Sequence, residues 1–155
     1  MALPSELIAP ISVDLRAEDL KLEVIKGLEK MLVTDGTLAT GVDVDAGDWV
    51  LKTSTGFGAV PTGNAQPHVF PVVVGNSQYD ALATGNVSVA VGGGFIYRTK
   101  KFVAGSYTLG QSLCVKDLGA GEKVPSAAGV NDAIVARVWN YDAAKGIMEI
   151  LVLNR

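Results

Sequence analysis

The chain has 155 residues, with 13 Lys plus Arg against 16 Asp plus Glu, a net charge of −3, one His and one Cys. That length corresponds to one domain at roughly 100–200 residues each, and a chain of this size buries about 68–70% of its unfolded surface without staples. The acidic balance argues against a binder of nucleic-acid phosphates. The single Cys114 excludes an internal disulfide framework and a cysteine zinc cluster, and no segment reaches the roughly 20 apolar residues of a membrane-crossing helix.

Residues 1–33 read as an N-terminal arm. Pro4 and Pro10 interrupt Leu3, Leu7, Ile8, Ile11 and Val13, and proline disfavours helix there, so an extended run with spaced apolar side chains is expected. Met1 to Pro10 lack the basic and apolar regions of a secretory leader, which predicts synthesis in a cytoplasm. Leu20, Val24, Leu28 and Met31 or Leu32 then recur at helical spacing, with Ile25 widening the stripe and Asp14 as the N-cap candidate. The alternation Leu20, Leu22, Val24 fits a strand equally well, and Gly27 lies inside the pattern. A short helix is one reading of this stretch and a strand the other. An apolar arm on a soluble chain is expected to dock on its own domain or on a neighbour.

From residue 34 onward the chain reads as β. Gly-bearing turn signals at 35–36, 40–41, 46–47, 62–63, 75–76 and 84–86 separate segments at Asp48–Lys52, Val69–Val74 and Asn86–Val91. Pro71 places the second of these at a sheet edge or a bulge. Phe95–Val103 and Ser112–Lys116 follow, then Ala133–Tyr141 and Gly146–Leu153, joined by a glycine-containing hairpin loop. The fold class expected is all-β, a single small β-barrel or sandwich over 34–155 behind the arm.

Charge is uneven along this plan. Residues 1–52 carry a net −5 and residues 53–155 a net +2. Between Thr53 and Tyr97 the only charged residue is Asp80. Globular surfaces carry about 25–35% charged residues, so this stretch is either a small-residue β core or a face covered by another protein.

The chemistry-bearing residues do not assemble into a site. His68 is the only histidine and has neither a nucleophile elbow nor an activated cysteine motif beside it. Cys114, flanked by Leu113 and Val115, reads as a buried inert thiol. Asp43-Val-Asp-Ala-Gly-Asp48 departs from a calcium loop at three positions and reads as a turn. Gly92-Gly-Gly94 follows a strand with no phosphate-binding helix behind it. Arg98-Thr-Lys-Lys101 is a basic patch, solvated or set against the acidic N-terminal third of a neighbour. Trp49 and Trp139 both fall in predicted strands and read as core or rim packing. A small β-rich hydrolase would need a paired carboxylate site, such as Asp43 with Asp48 or Asp132 with Asp142, and nothing in the sequence fixes either pair in space. No catalytic, metal or cofactor site is expected, and the chain reads as a non-enzyme.

The order of strands and glycines in the C-terminal half carries a resemblance. Asn86-Val-Ser-Val-Ala-Val91 is followed by Phe95-Ile-Tyr-Arg-Thr-Lys-Lys-Phe102 and Ala104-Gly-Ser-Tyr-Thr-Leu-Gly-Gln-Ser-Leu-Cys-Val115. Gly129, Ala133-Ile-Val-Ala-Arg-Val138 and Gly146-Ile-Met-Glu-Ile-Leu-Val152 complete it. Over about residues 70–153 this resembles the capsid decoration, or cement, proteins of tailed bacteriophages. The resemblance implies a small β domain on the exterior of an expanded virion shell. Its partners would be the major capsid protein and copies of itself, as a trimer or a dimer, with no nucleic acid, membrane or cofactor involved. The contacts expected are the arm residues Leu3, Leu7, Ile8 and Ile11, with Phe57 and Phe70 as aromatic candidates. A virion fibre or a receptor- or carbohydrate-binding β module is the alternative. It would need an exposed aromatic cluster, for which the sequence offers Phe57, Phe70, Tyr79 and Tyr107 in expected loops.

Overall fold

The computed structural model describes residues 20–76 and 85–153. Eleven strands occur among them: β1 (Glu23–Lys26), β2 (Val33–Thr37), β3 (Trp49–Lys52), β4 (Phe57–Gly58), β5 (Val69–Val74), β6 (Asn86–Ala90), β7 (Ile96–Thr99), β8 (Ser112–Val115), β9 (Pro125–Ala127), β10 (Ala136–Asp142) and β11 (Ile147–Val152). They form two antiparallel sheets, a six-stranded one ordered β1-β7-β11-β10-β8-β9 and a five-stranded one ordered β2-β6-β5-β3-β4. The all-β expectation holds.

The five-stranded sheet curls until its edges approach. Leu38, just past β2, makes a parallel bridge to Phe57 on β4, and the Ala39 amide donates to the Phe57 carbonyl at 2.8 Å. Inside the curl, Leu38, Val44, Val50, Phe57, Phe70, Val72, Val87 and Val89 form one core. The opposite face, with Trp49, Val69 and Ala90, packs on the inner face of the six-stranded sheet, where Tyr97, Leu113, Val138, Met148, Ile150 and Val152 are buried. A sheet covered on both faces needs apolar residues at consecutive positions rather than alternate ones. This accounts for Val-Phe-Pro-Val-Val-Val in β5 and for the scarcity of charge between residues 53 and 97.

A buried side-chain bond crosses between the sheets. The indole N–H of Trp49 donates to the Tyr97 hydroxyl at 3.1 Å, with both residues fully buried. Burial pushes the Tyr97 phenol well above its ordinary value, against the lowering effect of that indole donor. Two large aromatics are thereby accommodated without an orphaned polar atom.

The helix reading of residues 15–33 is not what forms over the described part, 20–33. Residues 23–26 make β1, paired with β7 as Glu23 to Arg98 and Val24 to Tyr97, and Leu28–Lys30 make a single 3-10 turn. Gly27 ends the strand at φ 80°, where a side chain would meet the Gly94 carbonyl at 2.8 Å. Leu22 and Val24 therefore pack on the core while Leu28 and Leu32 stand exposed. A helical stripe would have buried them together. Residues from Leu20 onward are thus built into the β domain: the Lys100 amide donates to the Leu20 carbonyl at 2.8 Å, and the Thr99 hydroxyl donates to that of Lys21.

Pro71 lies in an interior strand, between β3 and β6, rather than at an edge. The bulge half of the expectation applies, because the pairing of β5 with β6 slips between Val72 and Val74, beside the proline. The β10–β11 hairpin closes where the glycine loop was expected. Gly146 takes φ 65°, and the Lys145 amide donates to the Asp142 carboxylate at 3.1 Å.

Candidate functional site

Leu3, Leu7, Ile8, Ile11 and Tyr79 lie outside the described residues. Phe57, expected in a loop, and Phe70, expected as an exposed aromatic although it falls in the Val69–Val74 segment, are strand residues 3% and 8% exposed, and both belong to the core inside the curled sheet. For Phe57 the reason is a close approach between β2 and β4. Gly36 leaves open the space that the Phe57 ring fills, since a Cβ there would lie 2.5 Å from Phe57 Cε2. Within this chain, then, neither ring offers a surface to a partner. Tyr107 is half-buried, in edge-on contact with Phe102 and Tyr141 at 5.7 and 5.5 Å between ring centroids.

The charged clusters act as staples. Asp48 is buried, and its carboxylate bonds Lys101 Nζ at 2.8 Å and accepts the Asp45 amide at 2.8 Å. Asp45 pairs with Lys21 at 2.6 Å and accepts the Ala46 amide at 2.8 Å. Burial raises the Asp45 pKa, but the Lys21 ammonium and the Ala46 N–H together outweigh it, and the carboxyl titrates below its ordinary value. The 43–48 turn is thus fastened to Lys21 and Lys101 by the chain's own cations. Nor is the patch at 98–101 left for a neighbour. Arg98 bonds Glu23 at 3.3 Å and Glu149 at 3.1 Å, so two of its three bases meet acids of the same chain.

Asp132 and Asp142 serve separate sets of partners. Asp132 accepts the Ala65 and Gly129 amides at 2.9 and 2.8 Å and pairs with Lys116 at 2.8 Å. The Ala65 N–H foremost, then the Lys116 ammonium, lower its pKa to about 2. Asp142 caps the hairpin loop instead. Cys114 is buried on β8 with Sγ 3.7 Å from Ser126 Oγ, and burial foremost pushes its thiol up. His68 is exposed. Among the described residues no group of three or more His, Cys, Asp or Glu side chains could hold a metal ion, and no helix is long and apolar enough to cross a membrane.

What sequence reading missed lies on the outer face of the six-stranded sheet. The register between β10 and β11 slips between Val138 and Asn140. At that bulge Trp139 and Asn140 are both exposed, Trp139 at 48%. A bulge places two residues against one and re-aims their side chains. Parity with the polar Arg137 was the available signal for an outward Trp139; the bulge, which adds Asn140 to the same face, had none. Beside them lies a cleft lined by Arg98, Asn140, Tyr141, Asp142, Ile147 and Glu149, with Lys145 at its rim. The chain matches no protein-family model and no curated protein.

Proposed function

We propose that this chain is a structural virion protein that binds the outer surface of a viral capsid and stabilises the expanded shell. The observation that carries the proposal is a division of labour at the surface. The charged clusters at 21–48, 98–101 and 116–132 form ion pairs within the fold, while large apolar side chains such as Leu28, Leu32, Leu109 and Trp139 stay exposed. Exposed apolar groups gathered into one patch mark interaction surfaces, and static binding to a shell would use such a patch. The order of strands and glycines over residues 70–153, which resembles the decoration proteins of tailed bacteriophages, supports the reading that the partner is the major capsid protein, engaged by copies of this chain assembled preferably as a trimer.

The mechanism is mass action. A protein that binds the assembled shell and not its separated subunits stabilises the shell by RT ln(1 + [L]/Kd) per site. An oligomer that bridges several shell subunits gains further through effective concentration. Quantitative mass spectrometry of purified particles of the source virus tests this reading. A copy number equal to that of the shell subunit, or a simple fraction of it, is the expected result. A handful of copies per particle would assign the chain to a fibre or tail, and absence from the particle would overturn the proposal.

A further inference from the structure

The outer face of the six-stranded sheet carries a row of side chains in strand register: Glu23 beside Arg98, Arg98 beside Glu149, and Glu149 beside Asn140. Arg98 is held between its two carboxylates, with Nη1 3.3 Å from Glu23 and Nη2 3.1 Å from Glu149. A guanidinium clamped in this way is set in one orientation, and little of its rotamer entropy remains to be lost on binding. At the end of the row the bulge exposes Trp139 next to Asn140, and the cleft lined by Arg98, Asn140 and Glu149 lies on the same face. Tyr141 turns the other way, its ring packed against Phe102 and Tyr107 and its hydroxyl donating to the Gly105 carbonyl at 3.1 Å.

We propose that this platform, the Trp139–Asn140 bulge with the Arg98–Glu149 cleft beside it, binds a neutral oligosaccharide. Three observations select that ligand. The exposed Trp139 indole, held on a strand, suits the C–H face of a pyranose ring, an apolar surface with polar edges. The polar groups present are planar and bidentate: an amide, a guanidinium and carboxylates, which together donate to and accept from vicinal hydroxyls. Charge in the cleft is balanced, Arg98 and Lys145 against Asp142 and Glu149, so it favours neither a phosphate nor an acidic sugar. The cleft volume of about 190 Å³ is below the roughly 300–1,000 Å³ of pockets that enclose drug-sized ligands. It would receive one ring of an exposed chain rather than swallow a small molecule. The inference does not depend on the capsid reading, for a virion protein or any other could display such a site.

The test is a printed array of neutral and acidic oligosaccharides probed with the full chain. Each ligand found is then titrated in solution against the wild type, Trp139→Ala and Asn140→Ala, with thermal unfolding as a control of fold. Because both positions are exposed, unfolding midpoints close to wild type are expected for both variants. The expected binding result is a neutral ligand whose affinity falls roughly tenfold or more in Trp139→Ala, the loss typical of an aromatic anchor, and also falls in Asn140→Ala. No ligand on the array, ligands that are all acidic, or affinity unchanged in both variants would each overturn the proposal. Loss of particle binding by Trp139→Ala with no glycan bound by the wild type would likewise overturn it and assign the face to a protein contact. Particle stoichiometry is measured separately, so either reading can fail alone.

Discussion

Two buried polar contacts make the fold sensitive to single atoms. The Trp49 N–H has the Tyr97 hydroxyl as its partner at 3.1 Å in a fully buried setting. Tyr97→Phe keeps the ring and removes the acceptor, leaving a buried donor unsatisfied at a cost of about 1–3 kcal/mol. Urea unfolding should show a lower midpoint with unchanged slope. Asp132 ties three loops together through Ala65, Gly129 and Lys116. Its carboxyl lies at about 2 in the folded chain, below the ordinary 3.8. A depressed pKa contributes stability that is fully present above the unfolded value and is lost as pH falls through the folded one. Stability should therefore drop between about pH 4 and about pH 2, and Asp132→Asn should flatten that part of the profile while lowering stability at neutral pH. Denaturant midpoints at a series of pH values check both. Neither contact was legible in the sequence, since Trp49 and Tyr97 are 48 positions apart and Ala65 and Asp132 are 67 apart.

At the scale of elements, the curled five-stranded sheet depends on a close approach between β2 and β4. The Phe57 ring occupies the place of a Gly36 side chain, with Cε2 and Cδ2 2.5 and 2.7 Å from a Cβ built there. Gly36→Ala should cost about 1–3 kcal/mol through overpacking. In a Phe57→Leu background that added cost should shrink, because the clash is with the ring. A double-mutant cycle of unfolding free energies reads the coupling directly. Strand positions were mostly legible: β5 covers the expected segment, β3, β6, β8 and β11 fall within theirs, and β10 runs one residue past its expected end at Tyr141, because alternation and glycine turns are local signals. The stretch at 20–33 was not. Its apolar spacing fitted both periods, and pairing with β7, together with the crowding of Gly27 against Gly94, decided for a strand. The expectation that Phe57 and Phe70 are exposed failed for a related reason, since inward curl of a sheet is a non-local property.

For the whole molecule, the N-terminal arm is the segment on which the capsid proposal bears most directly. Lys21 pairs with Asp45, and the Leu20 and Lys21 carbonyls accept bonds from Lys100 and Thr99, so the fold is fastened from residue 20 onward. Deleting residues 1–13 should leave unfolding near the wild-type midpoint while weakening attachment to the particle or between copies. Co-sedimentation with stripped shells measures the first and analytical ultracentrifugation the second; full retention of both would remove the arm from the proposal. By itself the sequence determined the all-β class, the hairpin at 142–146, the buried character of Cys114 and the scarcity of charge in the middle of the chain, all carried by residue type and short-range period. The tertiary structure alone decided that the central sheet is covered on both faces, that the basic patch at 98–101 is stapled to acids from the first third of the same chain, and that a bulge turns Trp139 and Asn140 outward together. Those features depend on which strands become neighbours and in what register, and pairing between segments distant in sequence leaves no mark on the composition of either one.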